Sequence, residues 1–110
     1  MSAHYFKVVG NVQGVMFRQT LIRGAYKRGL KAGATNLVDG SVSFTLIGDI
    51  QMIDEIISFF KSGKPINSWK AKVDELFELS EQDGIVFEKH EVTTENVDTF
   101  NWSEGVEMYL

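Results

Sequence analysis

Apolar residues recur along this chain in two periods, and the switches between them outline the elements. Tyr5-Phe6-Lys7-Val8-Val9 is rich in aromatic and β-branched residues and predicts a first strand. From Phe17 to Arg28 the apolar positions Phe17, Leu21, Ile22, Ala25 and Tyr26 fall at helical spacing, and Gly29 is placed to end that helix in the left-handed conformation. Lys31 to Leu37 reads as a weak second strand, Asp39-Gly40 as a hairpin turn, and Ser41 to Leu46 as an alternating, half-buried strand. Gly48-Asp49 closes it, with Asp49 a suitable N-cap. Ile50, Ile53, Ile56, Ile57 and Phe60 then form the stripe of a second helix, ended by Gly63 and followed by Pro65.

Beyond Pro65 the pattern is less regular. Trp69, Val73, Leu76 and Phe77 share one helical face, Ser68 can cap it and Gly84 can end it, so the spacing predicts an extra helix near 68–83. Ile85 to Thr94 reads as a strand, a polar loop follows around Asn96 and Asp98, and Gly105 to Leu110 alternates as a short C-terminal strand. The order predicts an α+β fold, a split βαβ arrangement with a mostly antiparallel sheet and helices on one face.

Composition narrows the functional classes. A chain of 110 residues, 44% hydrophobic and 24% charged, suits one folded domain over 1–110. The formal charge of −4 argues against diffuse nucleic-acid binding, so anion binding has to be local. With no cysteine there is no disulfide, thiolate metal site or cysteine nucleophile, which fits a reducing compartment. No apolar run approaches a membrane span, and residues 1–15 lack the plan of a signal peptide, so a cytoplasmic protein without membrane partners is expected.

Catalytic side chains are sparse. The two histidines, His4 and His90, belong to no ligand-spaced set and read as surface residues without a role, so no metal or other cofactor is expected. Glu75, Glu78 and Glu81 with Lys70 and Lys72 look like a solvated face, and Ser41, Ser43 and Thr45 like the polar side of a strand. Trp69 and Trp102 read as packing residues. One stretch stands apart: Gly10-Asn11-Val12-Gln13-Gly14-Val15-Met16-Phe17-Arg18 leaves a strand, passes two glycines and delivers an arginine at a helix start. Glycine permits close backbone approach, helix-start N–H groups are unpaired, and arginine offers a planar fork of donors, which together make an anion cradle. On residue chemistry alone a plain turn with a surface arginine stays open. The stretch also lacks the Lys-Ser/Thr ending of a nucleotide P-loop.

At these residues the chain resembles the acylphosphatase family, whose signature is similar to Gly-x-Val-Gln-Gly-Val-x-Phe-Arg; Gly10, Val12, Gln13, Gly14, Val15, Phe17 and Arg18 fill every specified place. A second block, Gly29-Leu30-Lys31-Ala32-Gly33-Ala34-Thr35-Asn36 with Gly40 and Val42, resembles the family's next conserved stretch. Two departures stand out: Ala32 and Gly33 occupy places where the family usually has Gly-Trp, and the chain is longer, with the excess assigned to 68–84. Its end, Met108-Tyr109-Leu110, lacks the basic residue usual beside an aromatic in the family.

The resemblance implies a ferredoxin-like βαββαβ sandwich and hydrolysis of acyl phosphates to carboxylate and inorganic phosphate. It implies a phosphate cradle from the backbone of Gln13, Gly14, Val15, Met16, Phe17 and Arg18, with Arg18 as phosphoryl clamp and Asn36 orienting the attacking water. The partners so implied are a small-molecule acyl phosphate and, as product or inhibitor, inorganic phosphate or other small anions, with no cofactor. The competing readings are a non-catalytic anion-binding or protein-interaction module, like the acylphosphatase-like domains of hydrogenase-maturation carbamoyltransferases, and a ferredoxin-like RNA binder. The acidic balance and the lack of an aromatic strand motif count against the last.

Overall fold

The computed structural model describes residues 2–100 and 102–110. Its centre is a sheet built from β1 (Ser2–Asn11), β2 (Lys31–Asn36), β3 (Val42–Gly48), β4 (Lys72–Leu79) and β5 (Val92–Thr93), in the order β4-β1-β3-β2-β5. Every pairing between these strands is antiparallel. Two helices, α1 (Phe17–Lys27) and α2 (Ile50–Lys61), cover one face. The sequence β1-α1-β2-β3-α2-β4 is the ferredoxin-like plan. β5 and the rest of the chain are added beyond it.

Up to Phe60 the elements lie where the pattern predicts them, although Tyr26 and Ile50 of the two helical stripes are exposed. Alternation puts Phe6, Val8, Val42, Phe44 and Leu46 on the helix side of the sheet, where Leu21, Ile22, Ile53 and Ile56 meet them. Phe6 stacks on Phe44 with centroids 5.0 Å apart, Phe44 meets Phe60 edge-on at 5.6 Å, and Phe60 reaches Phe17 at 5.5 Å. This aromatic chain anchors the first residue of α1 to the core. Gly29 (φ +75°) ends α1 in the left-handed region, and the Asp49 carboxylate caps α2 by accepting from Gln51 N–H at 2.7 Å.

The helix predicted near 68–83 is instead β4, the edge strand against β1. Its misleading spacing has a physical cause. The register slips between Val9 and Gly10, so Val9 faces Glu75 while Gly10 faces Val73, and Asp74 is the extra residue of a bulge. A bulge puts Val73 and Leu76, three apart, on the same inner face, which imitates a helical stripe. Gly10 is required there: at φ +139°, a Cβ would lie 2.7 Å from Asp74 N and Lys72 O, both backbone atoms. Residues 72–79 are therefore a paired strand of the sheet and not an added helix.

The strand predicted over Ile85–Thr94 shrinks to Val92–Thr93. Before it the chain crosses the sheet face opposite the helices, carrying a short 3₁₀ turn at Phe87–Lys89. Gly84 lies on the Tyr5 ring, where a Cβ would come within 2.4 Å of Cγ. The strand side expected to face water, Ser43 and Thr45, is buried beneath this crossing. After β5 the chain returns to the helix side, where Val97 joins the core and Leu110 closes on Gly24 of α1. The expected C-terminal strand is only an isolated bridge between Met108 and Asn67, with Tyr109 N–H donating to the Ile66 carbonyl at 2.9 Å. No helix, among the described residues, is long and apolar enough to cross a membrane.

Candidate active site

The loop between β1 and α1 turns inward because two residues adopt left-handed backbone conformations, Gly14 (φ +76°) and Met16 (φ +60°). Met16 is not a glycine, so its conformation costs on the order of 1 kcal/mol. It is held by Thr20, whose buried hydroxyl donates to the Met16 carbonyl at 2.7 Å, with Thr20 N–H on the same oxygen at 3.0 Å. Asn67, fully buried, donates from Nδ2 to the Val15 carbonyl and to Thr20 Oγ1, both at 2.9 Å. The Gln13 side chain reaches the other way, to the carbonyls of Leu37 and Ser41 at 2.9 Å each, and ties the loop to the β2–β3 turn.

These ties occupy carbonyls and leave the amides. Among the described residues, no backbone N–H from Gln13 to Arg18 meets a protein acceptor. Consecutive unpaired N–H groups at a helix start form a nest that favours an anion. They border a pocket of about 190 Å³ lined by Val12, Gly14, Met16, Phe17, Arg18, Gln19, Asn36 and Trp69. The pocket thus gathers Arg18, Asn36 and four of the six cradle residues. Gln13 and Val15 do not line it, and the Gln13 side chain serves as a strut.

Arg18 follows the buried Phe17 and projects outward, its side chain 31% exposed, with Nη1 paired to Glu91 Oε1 at 3.2 Å. Asn36 ends β2. Its backbone N–H donates to the same Glu91 oxygen at 2.8 Å, while its Oδ1 is buried and unpartnered among the described residues. Trp69, 41% exposed, forms one wall; Asn67 Oδ1 accepts from its N–H at 3.0 Å and from Ala71 N–H at 3.2 Å.

The structure corrects the reading of His90, which is 6% exposed rather than on the surface. Its ring lies on Gly33, where a Cβ would be 2.6 Å from Cδ2, so the place usually held by tryptophan in the family is bare to admit this histidine. Thr45 Oγ1 donates to the Ile85 carbonyl at 2.6 Å and so accepts from His90 Nε2–H at 2.7 Å. Nδ1 then accepts from Thr35 Oγ1 at 2.9 Å, and that oxygen accepts from Glu91 N–H at 3.0 Å. Burial pushes the imidazole pKa down to about 4, outweighing the Ile85 carbonyl and the Glu91 carboxylate, which favour the charged form. Asp39, beside the β2–β3 turn, is held well below the ordinary carboxylate range by Ser41, with Lys7 adding to the effect.

Glu91, Asn67 and Trp69 are the site neighbours that motif reading missed. Glu91 sits in a charged run and Asn67 in a loop, with no local signal to mark either. Trp69 read as a packing residue and not as a neighbour of the cradle.

Comparison with known proteins agrees with this fold. The Acylphosphatase family model matches residues 4–100. An acylphosphatase of Paraburkholderia xenovorans is 38% identical over 65 residues, covering 59% of this chain and 67% of the relative. One from Alkalilimnicola ehrlichii is 42% identical over 60 residues, covering 54% and 67%. These alignments span about two thirds of the relatives' length. The crystal structure of Bacillus subtilis acylphosphatase superposes with a TM-score of 0.62 at 28% identity, covering 82% of this chain and 92% of that one. A segment of T. kodakarensis HypF is also similar, with a TM-score of 0.56 at 31% identity, covering 74% of this chain and 11% of that chain. A signature loop, a matching family model and a shared fold lead to one conclusion: this chain belongs to the acylphosphatase family, hydrolases of acyl phosphates.

Proposed function

We propose that this protein, as one domain over 1–110, hydrolyses small acyl phosphates by direct attack of water, with the phosphoryl group in the 13–18 cradle. The observation that supports this most is one pocket lined by Gly14, Met16, Phe17 and Arg18, whose backbone amides are unpaired among the described residues, together with Asn36. An acyl phosphate needs little more. Its leaving group is a carboxylate, with a pKa of about 4, and departs at neutral pH without a general acid. What remains is to stabilise charge on the phosphoryl oxygens and to place a water.

In this reading the cradle amides hold the phosphoryl oxygens and Arg18 offsets their charge through its planar fork. The Asn36 side-chain amide orients the attacking water. Its oxygen bonds to phosphorus, and the bond from phosphorus to the acyl oxygen breaks with its electron pair on the carboxylate. The water's proton passes to phosphate or solvent. Asparagine takes up no proton at neutral pH, so its part is placement. The acyl group extends along the open side of the pocket, beside Trp69 and Met16. A cytoplasmic setting, with the cysteine-free composition, belongs to the same proposal.

Benzoyl phosphate hydrolysis tests it. Arg18→Ala is expected to lower kcat by about 10³–10⁵, roughly 4–7 kcal/mol, the range for an arginine that stabilises phosphoryl transfer. Arg18→Lys should rescue poorly, because a point charge does not replace the fork. Asn36→Ala should lower kcat more than it weakens inhibition by phosphate. Full activity in Arg18→Ala sinks the mechanism. An inactive wild type that binds phosphate through Arg18 supports the anion-binding module instead.

A further inference from the structure

Among the described residues, Glu91 is the one acidic side chain in direct contact with Arg18 and Asn36, and the signature loop says nothing of it. A single carboxylate oxygen, Oε1, accepts from Arg18 Nη1 at 3.2 Å and from Asn36 N–H at 2.8 Å. It thereby joins the start of α1 to the end of β2, the two elements that carry the proposed clamp and the proposed water holder. Among the described residues it accepts from none of the cradle amides, and Glu91 does not line the pocket, so it lies beside the anion position and not in it.

The carboxylate is also fixed from behind. Glu91 N–H donates to Thr35 Oγ1 at 3.0 Å, its carbonyl accepts from Asn96 Nδ2 at 3.1 Å, and the preceding residue is the buried His90, bonded on both ring nitrogens. Gly33 makes room for that ring. The side chain itself is 50% exposed, and an ion pair in such a setting adds little stability. Its consequence is therefore geometric. An unheld arginine near the surface samples many rotamers, and a charged tether removes most of them.

We propose that Glu91 is a positioning residue for the hydrolysis: it holds the Arg18 guanidinium and the end of β2 in the arrangement the transition state needs. The proposal rests on the hydrolase reading. As an anion beside the guanidinium, Glu91 does not add to phosphate affinity. Its removal should therefore separate turnover from binding.

The test compares wild type with Glu91→Gln and Glu91→Ala, using benzoyl phosphate as substrate and inorganic phosphate as inhibitor. Glu91→Gln keeps the shape and an acceptor for Asn36 N–H but loses the charge. A drop in kcat of roughly tenfold to a hundredfold is expected, larger for alanine, with the phosphate inhibition constant unchanged or lower. In NMR relaxation, the ordered Arg18 Nε–H signal of the wild type should become mobile in both variants, which reads the tether apart from turnover. An unchanged or higher kcat with tighter phosphate inhibition overturns the proposal and makes Glu91 a competitor for the anion site. Parallel loss of turnover, phosphate binding and thermal stability overturns it in favour of a scaffold role. An inactive wild type would instead defeat the hydrolase reading, with the Arg18 signal still reporting whether Glu91 orders the guanidinium.

Discussion

A left-handed Met16 is a strained residue in the middle of the cradle, and its neighbours show what holds it. Thr20 and Asn67 are both fully buried, and their side chains bind the loop carbonyls that an inward-turning backbone pushes outward. Asn67 also serves the amides of Trp69 and Ala71, so all four of its hydrogen-bonding positions are used. Asn67→Ala strips partners from buried backbone groups on both sides and should cost on the order of 3 kcal/mol. Because the cradle relaxes with it, phosphate affinity should fall as well. Urea unfolding and phosphate titration of the same variant check this, and a variant with normal stability and affinity contradicts the buttress.

Among the elements, β4 and the crossing segment differ most from simple periodicity. Both follow from a local accommodation. The bulge opposite Gly10 gives β4 a spacing of three between inward residues, and the crossing is admitted where Gly33 and Gly84 offer bare backbone to His90 and Tyr5. Gly10 and Gly14 belong to one signature but do different work. Gly10→Ala meets backbone atoms of β4 at 2.7 Å and should destabilise by roughly 3 kcal/mol. Gly14 has open space around its missing Cβ, so Gly14→Ala meets only the conformational penalty of its positive φ, about 1 kcal/mol. Comparing their urea midpoints checks the distinction, and equal losses would refute it.

For the whole molecule, the crossing segment makes stability depend on pH. His90 is neutral in the fold, with a pKa near 4 against 6.5 when unfolded. The unfolded chain therefore binds more protons between these values, and stability falls as pH falls through that window. Its contribution is complete above about pH 6.5 and, integrated down to pH 4, amounts to something on the order of 3 kcal/mol. His90→Asn removes this titration. The stability advantage of wild type over His90→Asn should shrink as pH is lowered from 7 to 4.5, measured by chemical denaturation at each pH. A constant gap would mean that His90 does not titrate differently on folding.

Much of the molecule was legible before any coordinates, for reasons that are local. β1, α1, β2, β3 and α2 lie where periodicity, glycine stops and the Asp49 cap put them, because each buries one face against a single core. Gly10 to Arg18 marked the proposed cradle because its local requirements, positive φ at Gly14 and N–H groups left unpaired at a helix start, belong to consecutive residues. The remainder depended on contacts between distant parts of the chain. Whether Val73 and Leu76 lay on a helix or a strand was decided by the register of β1 across a bulge. Whether His90 faced water or the core was decided by a bare Gly33 on β2. Arg18, Asn36 and Glu91 are separated by 18 and 55 residues in turn, and only the paired sheet and the chain crossing its far face bring one carboxylate to both. Periodicity reports the face a residue prefers; which distant residue waits on that face is settled by packing.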